Sequence, residues 1–191
     1  DIYTKDMKDM PCKCFKGYIR VRTFGGGSRS LTEALKAHNN RIEWDDMCIT
    51  SRVVEEYPPY YAIAHFRFAS GTPFISAREM LSICHLYFED DGSVFLTAKS
   101  TDVESIPEDP NCVRCTLHHG GYIIRPTGDN DVFQVVYAGC VDGGGWVPTW
   151  VQDLVAWRQP LALGKFKTYF EEGAREGGTR FEAIRGMRSL G

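Results

Sequence analysis

The sequence predicts an α+β domain in which one long antiparallel sheet stands between two helices. Three observations carry that expectation. Ser30-Leu31-Thr32-Glu33 has the pattern of a helix start. Strand-like segments follow from residue 49 to residue 140, most of them separated by turn signals. Pro148 then stands at the head of a second helix pattern that runs to Phe170.

The chain opens with two strand patterns, Ile2 to Lys8 and Cys14 to Val21. Gly25-Gly26-Gly27 lacks the Lys-Ser/Thr ending of a phosphate-binding loop and meets its helix too late, so it reads as a linker. Ser30 and Glu33 form a capping box, and the helix is expected from Leu31 to Asp46. Within it lies Arg41-x-x-Trp44-Asp45, with Arg41 and Asp45 on one helix face. A carboxylate beside a guanidinium holds the planar fork in one orientation, suited to a phosphate or carboxylate. The plain alternative is a solvated ion pair worth about 0.2–0.5 kcal/mol.

Strands are expected at Ile49 to Glu55, Tyr60 to Phe68, Met80 to Phe88, Ser93 to Ser100, Val113 to His119, Gly121 to Pro126 and Val132 to Cys140. Tyr57-Pro58-Pro59, Asp90-Asp91-Gly92 and Gly128-Asp129-Asn130-Asp131 separate several of them and favour hairpins. The loop from Ala69 to Ala77 carries Phe74 and Ile75 at its tip, either as a lid or membrane contact or folded back into the core. The last helix has a wide apolar stripe with Trp150, Leu154 and Trp157, which suits a core, a cavity wall or a membrane interface. Gln159-Pro160 is expected to kink it before it resumes toward Phe170. After Gly173 the chain turns Gly- and Arg-rich, which reads as a mobile tail over 174–191.

Composition fits a single folded domain: 191 residues, 43% hydrophobic and 13% aromatic. A net charge of −3 argues against nucleic acid as a partner. No apolar run approaches the roughly 18 residues of a membrane span. The chain begins with Asp1 rather than Met and shows no signal peptide, so it reads as a trimmed chain whose compartment is not legible. The seven cysteines are an odd number in a chain that needs no staples, and free thiols are expected. Cys112-x-x-Cys115 with His118 and His119 resembles a zinc pattern, but residues three apart on a strand point to opposite faces. Cys12-x-Cys14 shares a strand face with no second pair in sight. No metal and no cofactor is expected.

Several motifs in one order resemble the START family, the steroidogenic-acute-regulatory-related lipid-transfer domains. They are Arg41-x-x-Trp44-Asp45, Ser76-Ala77-Arg78-Glu79, Val113-Arg114 followed by Tyr122-Ile123-Ile124-Arg125-Pro126, and Gly144-Gly145-x-x-Pro148-x-Trp150. The resemblance covers residues 1–173 and lacks the family's N-terminal helix. It implies a helix-grip fold, a curved antiparallel sheet around a long C-terminal helix with an internal lipid tunnel. It is closest in motif to the phosphatidylcholine-transfer type, where the matching arginine binds the lipid phosphate.

On that footing the expected ligand-binding residues are Arg41, Asp45, Trp44, His65, Met80, Cys84 and His118. The expected gate is Phe74, Ile75, Trp150 and Leu154. Sterol carriers of the family hold a buried acid–arginine pair, which the alignment places at His65 and Cys84, so the pair is expected to be missing here. Choline-cage positions fall near Ala64, Met80 and His118, leaving that cage incomplete. The implied protein is a soluble, monomeric, eukaryotic carrier, peripheral to membranes, that shuttles one phospholipid and is not an enzyme. Its alternatives are a sterol carrier, a lipid-gated interaction module, and a hydrolase on the same fold using His65, His118 and Glu79.

Overall fold

The structure is a computed structural model that describes residues 1–8, 10, 12–70, 75–145 and 149–175, with backbone alone at 149–151, 154 and 155. Its strands are β1 (Ile2–Lys5), β2 (Cys14–Arg22), β3 (Cys48–Tyr57), β4 (Tyr61–Phe68), β5 (Ala77–Phe88), β6 (Val94–Ser100), β7 (Cys112–Arg114), β8 (Thr116–Pro126) and β9 (Val132–Asp142). They form a nine-stranded sheet in the order β1-β2-β9-β8-β6-β5-β4-β3, with β7 parallel to the start of β5. All other pairings are antiparallel. Helix α1 (Gly27–Lys36) and a 3-10 helix (His38–Glu43) connect β2 to β3, and α2 (Thr149–Arg175) closes the chain. A curved antiparallel sheet gripping a C-terminal helix is the helix-grip arrangement.

The helix after the glycine run differs from the expectation. It starts at Gly27 and ends at Lys36, and no side chain caps it in the way of a capping box. Ser30 Oγ donates instead to the Gly27 carbonyl, while Thr23 Oγ1 accepts the Gly27 N–H. Beyond Lys36 the sequence His38-Asn39-Asn40 has weak helix formers, and the chain tightens into the 3-10 turn. The Asp45 N–H still bonds the Arg41 carbonyl at 2.9 Å, so one helical turn survives there and keeps the two side chains together.

Two glycines permit close approaches, one between neighbouring strands and one between sheet and helix. Gly121 has φ +139°, and a Cβ there would lie 1.9 Å from the Leu96 carbonyl oxygen. β8 therefore runs through Gly120-Gly121 rather than dividing there, and the break falls at Cys115, whose N–H bonds the Glu79 carbonyl. A Cβ on Gly17 would lie 2.6 Å from Pro160 Cβ of α2. Pro160 sits inside an uninterrupted helix, buried where β2 passes beneath it. Packing there offsets the hydrogen bond that the proline ring removes.

The core lies between the C-terminal half of α2, α1 and the sheet, where Phe166, Phe170, Leu31 and Val21 are fully buried. α2 continues to Arg175, so Ala174 and Arg175 belong to it and not to a tail. Residues 176–191 lie outside the described residues.

Candidate functional site

Strand alternation builds the site. Ala62, Phe66 and Phe68 on β4 and Met80, Ser82 and Cys84 on β5 line a cavity of about 370 Å³ between sheet and helix. Ala156 and Gln159 of α2 close it from the other side. The wall is mostly apolar, and among the described residues it holds one buried cation. Arg41 lines the cavity and is 8% exposed.

Everything around Arg41 fixes its guanidinium. Its Nε donates to Asp45 Oδ2 at 2.8 Å and its Nη2 to Tyr137 Oη at 3.4 Å. Tyr137 Oη in turn donates to Gln159 Oε1 of α2 at 3.0 Å. Asp45 is held by the Met47 N–H on its other oxygen, at 3.1 Å. The guanidinium carbon lies 5.4 Å from the ring centres of Trp44 and Phe66, 5.3 Å from Phe68 and 6.0 Å from Tyr137. Such packing contributes cation–π attraction in a desolvated setting. Burial opposes the charge on Arg41, yet the Asp45 carboxylate and the acceptor oxygen of Tyr137 hold the guanidinium charged, its affinity for the proton well above the ordinary value. Burial also lifts the Tyr122 phenol far beyond the usual phenol range, so that ring is neutral at neutral pH. Among the described residues, no hydrogen bond uses Arg41 Nη1. The site is a fixed cation, balanced by one carboxylate, that lines an apolar cavity.

The expected site residues divide. Arg41, Met80, Cys84 and Ile75 line the cavity. Asp45 and Trp44 stand behind Arg41: Asp45 is 4% exposed and bonds the guanidinium, and Trp44 packs edge-on against Phe166 in the core. His65 does not line the cavity, because it alternates with Phe66 and points through the sheet. It is paired across the ladder with Leu81 rather than Cys84. His118 falls in the bulge between Leu117 and His119 and is not part of the wall; its Nε2 is buried with no partner among the described residues. Phe74 lies outside the described residues, as do the side chains of Trp150 and Leu154.

A buried acid–arginine pair does exist, on the sheet's other face. Glu79, 1% exposed, accepts from His65 Nε2 at 3.0 Å, Arg114 Nε at 3.1 Å and the Asp109 N–H at 2.9 Å. Arg67 pairs with Asp109 beside it. This cluster fastens the 101–111 connection to the sheet. Glu79 alternates with the cavity-lining Met80, so His65 and Glu79 meet where no cavity substrate reaches them.

The motif reading missed Phe66, Phe68, Tyr122 and Tyr137. Tyr122 stacks on Tyr137 with ring centres 4.5 Å apart, and its hydroxyl is buried without a partner among the described residues. The signal was present. Counting outward from the Gly128–Asp131 turn sets Tyr122 opposite Tyr137, the observed register.

A curved sheet gripping a helix around a largely apolar cavity defines the class of helix-grip ligand-binding domains. The START-domain family model matches residues 17–161, more than half of the chain, and this chain belongs to that family of lipid-binding and lipid-transfer domains. The fold is similar to human STARD10, with a TM-score of 0.79 at 16% identity over 95% of this chain and 73% of that one. It is similar to human StAR-related lipid transfer protein 5, with a TM-score of 0.76 at 17% identity over 93% and 82%. A STAR-related lipid transfer protein from Xanthomonas axonopodis gives 0.75 at 16% over 89% and 92%. The fold thus occurs in human and Xanthomonas proteins alike and does not by itself carry the eukaryotic origin expected above. More distantly, the Zhui aromatase/cyclase of Streptomyces shares it, with a TM-score of 0.53 at 9% identity over 85% and 93%. No helix among the described residues is long and apolar enough to cross a membrane.

Proposed function

We propose that the domain carries one phospholipid in this cavity and moves it between membranes as a monomer, with the phosphate at Arg41. The observation that carries the reading is a guanidinium, 8% exposed, lining a mostly apolar cavity. Asp45 leaves the pair neutral, so a zwitterionic headgroup such as phosphatidylcholine adds no net buried charge. The two acyl chains supply the driving force. About thirty methylenes at about 0.8 kcal/mol each come to roughly 25 kcal/mol, which makes unaided desorption very slow. A largely apolar cavity removes most of that cost. The gate is the loop at 69–77 with the start of α2, touching the membrane transiently through Phe74, Ile75, Trp150 and Leu154.

The chemistry of the wall favours a carrier over an enzyme. Burial pushes the Cys84 thiol up to about 12, so it is not a thiolate at neutral pH. Ser82 Oγ is buried and, among the described residues, has no partner to act as its base. The test is transfer of labelled phosphatidylcholine between vesicles, with fatty-acid release followed in parallel. Transfer without release supports the carrier, release identifies a hydrolase, and binding without transfer identifies a lipid-gated module.

One observation favours a second reading. About 370 Å³ lies near the lower end of the usual range for ligand sites, roughly 300–1,000 Å³. A sterol or single-chain lipid fits such a space with less opening of the gate.

A further inference from the structure

Apart from Arg41, the fold assembles a second cluster of reactive groups. Cys12 Sγ lies 2.7 Å from Cys140 Sγ, although the two are 128 residues apart in the chain. Cys14 is the register partner of Cys140 across β2 and β9. All are free thiols, with Cys12 half-buried and Cys140 buried. Cys12 and its neighbour Lys13 line the cavity, and Lys13 forms an ion pair with Asp153 of α2. The segment bearing Cys12 is therefore tied to the helix segment that also contributes Gln152 and Ala156 to the wall.

We propose that Cys12 and Cys140 are a reversible dithiol–disulfide pair that fastens this wall of the cavity to β9. The oxidant is a small disulfide such as oxidised glutathione. The Cys12 thiolate attacks one of its sulfurs, and the departing thiolate takes up the proton that Cys12 released. The Cys140 thiolate then attacks the Cys12 sulfur of the mixed disulfide and expels the second small thiol, which takes the proton from Cys140. Two protein thiols are oxidised and one small disulfide is reduced to two thiols. Cys12 is the more accessible of the pair and attacks first; Cys140 resolves. Burial pushes the Cys140 thiol up to about 11 and raises Cys12 as well, so exchange is slow at neutral pH.

The bond itself is independent of the carrier reading, while its effect on transfer rests on that reading. The test treats the full chain with oxidised glutathione at about pH 8.5, where more thiolate forms. Free thiols are then alkylated and the chain is digested with trypsin, which cuts after Lys13 and so separates Cys12 from Cys14. The expected result is a fall from the seven thiols of the sequence by two, a Cys12–Cys140 cross-linked peptide, and slowed lipid transfer that a reductant restores. Cys14→Ser should keep the cross-link, and Cys12→Ser should lose both cross-link and redox sensitivity while melting normally. Retention of all thiols overturns the pairing, as does a Cys14–Cys140 cross-link in the unsubstituted chain. A mapped Cys12–Cys140 bond with unchanged transfer overturns the fastening. If the reduced protein transfers nothing, the carrier reading fails, and the mapped peptide still decides the pairing.

Discussion

Arg41 is bound to its surroundings so closely that removing it alone does two things. Asp45, 4% exposed, would remain as an uncompensated buried carboxylate. Arg41→Ala should therefore destabilise the fold by about 3–5 kcal/mol, as breaking one side of a buried pair does. Arg41→Met with Asp45→Asn removes both charges and keeps a side-chain oxygen to accept the Met47 N–H. That double variant should melt close to the parent, by thermal denaturation followed by circular dichroism. A single variant as stable as the double one would show that the pair is not desolvated. The spacing of Arg41 and Asp45 was legible in the sequence because one helical turn brings such residues together even where the helix is not continuous. The aromatic rings around Arg41 were less legible. Phe66, Phe68 and Tyr137 come from strands far apart in the chain, and their convergence depends on pairing across the whole sheet.

At the scale of elements, the cluster around Glu79 joins β4, β5, β7 and the 101–111 connection. Glu79→Ala would leave Arg114 and the Asp109 N–H without their acceptor. It should cost about 3–5 kcal/mol and raise amide exchange across 101–111 more than in β9. Uniform exchange across both would contradict the role of Glu79 as the fastening for that segment. The strand positions were largely visible through turn residues and alternation, with edges shifting by a few residues. The helix limits were not. The helix starts at Gly27, ahead of the capping-box pattern at Ser30, whose hydroxyl is used within the first turn on the Gly27 carbonyl. Pro160 was read as a kink in a helix that resumes, and the helix does run on through it; what the sequence does not show is Gly17 making room for the proline. His65 was misplaced for a similar reason: a shift of one residue along a strand moves a side chain to the other face.

At the scale of the whole molecule, folding buries thiols. Burial pushes Cys84 and Cys115 up to about 12, and Cys48 and Cys140 up to about 11, from an ordinary value of 9.0. The unfolded chain therefore releases these protons at lower pH than the folded one, so the native state binds more protons above pH 9.0. Stability from this source is complete below about pH 9 and is lost as pH rises toward 12. Melting temperature in a reductant should thus fall steadily as pH rises from about 9. A flat profile would show that the thiols titrate equally in both states. The central claim is that Arg41 selects a phosphate in the cavity. Its most direct test is mass spectrometry of lipids extracted from the purified domain, beside the Arg41→Met/Asp45→Asn variant loaded in the same way. The expected result is one phospholipid per parent chain and its loss from a variant that remains folded. Equal phospholipid in both, or a sterol alone in the parent, would contradict it.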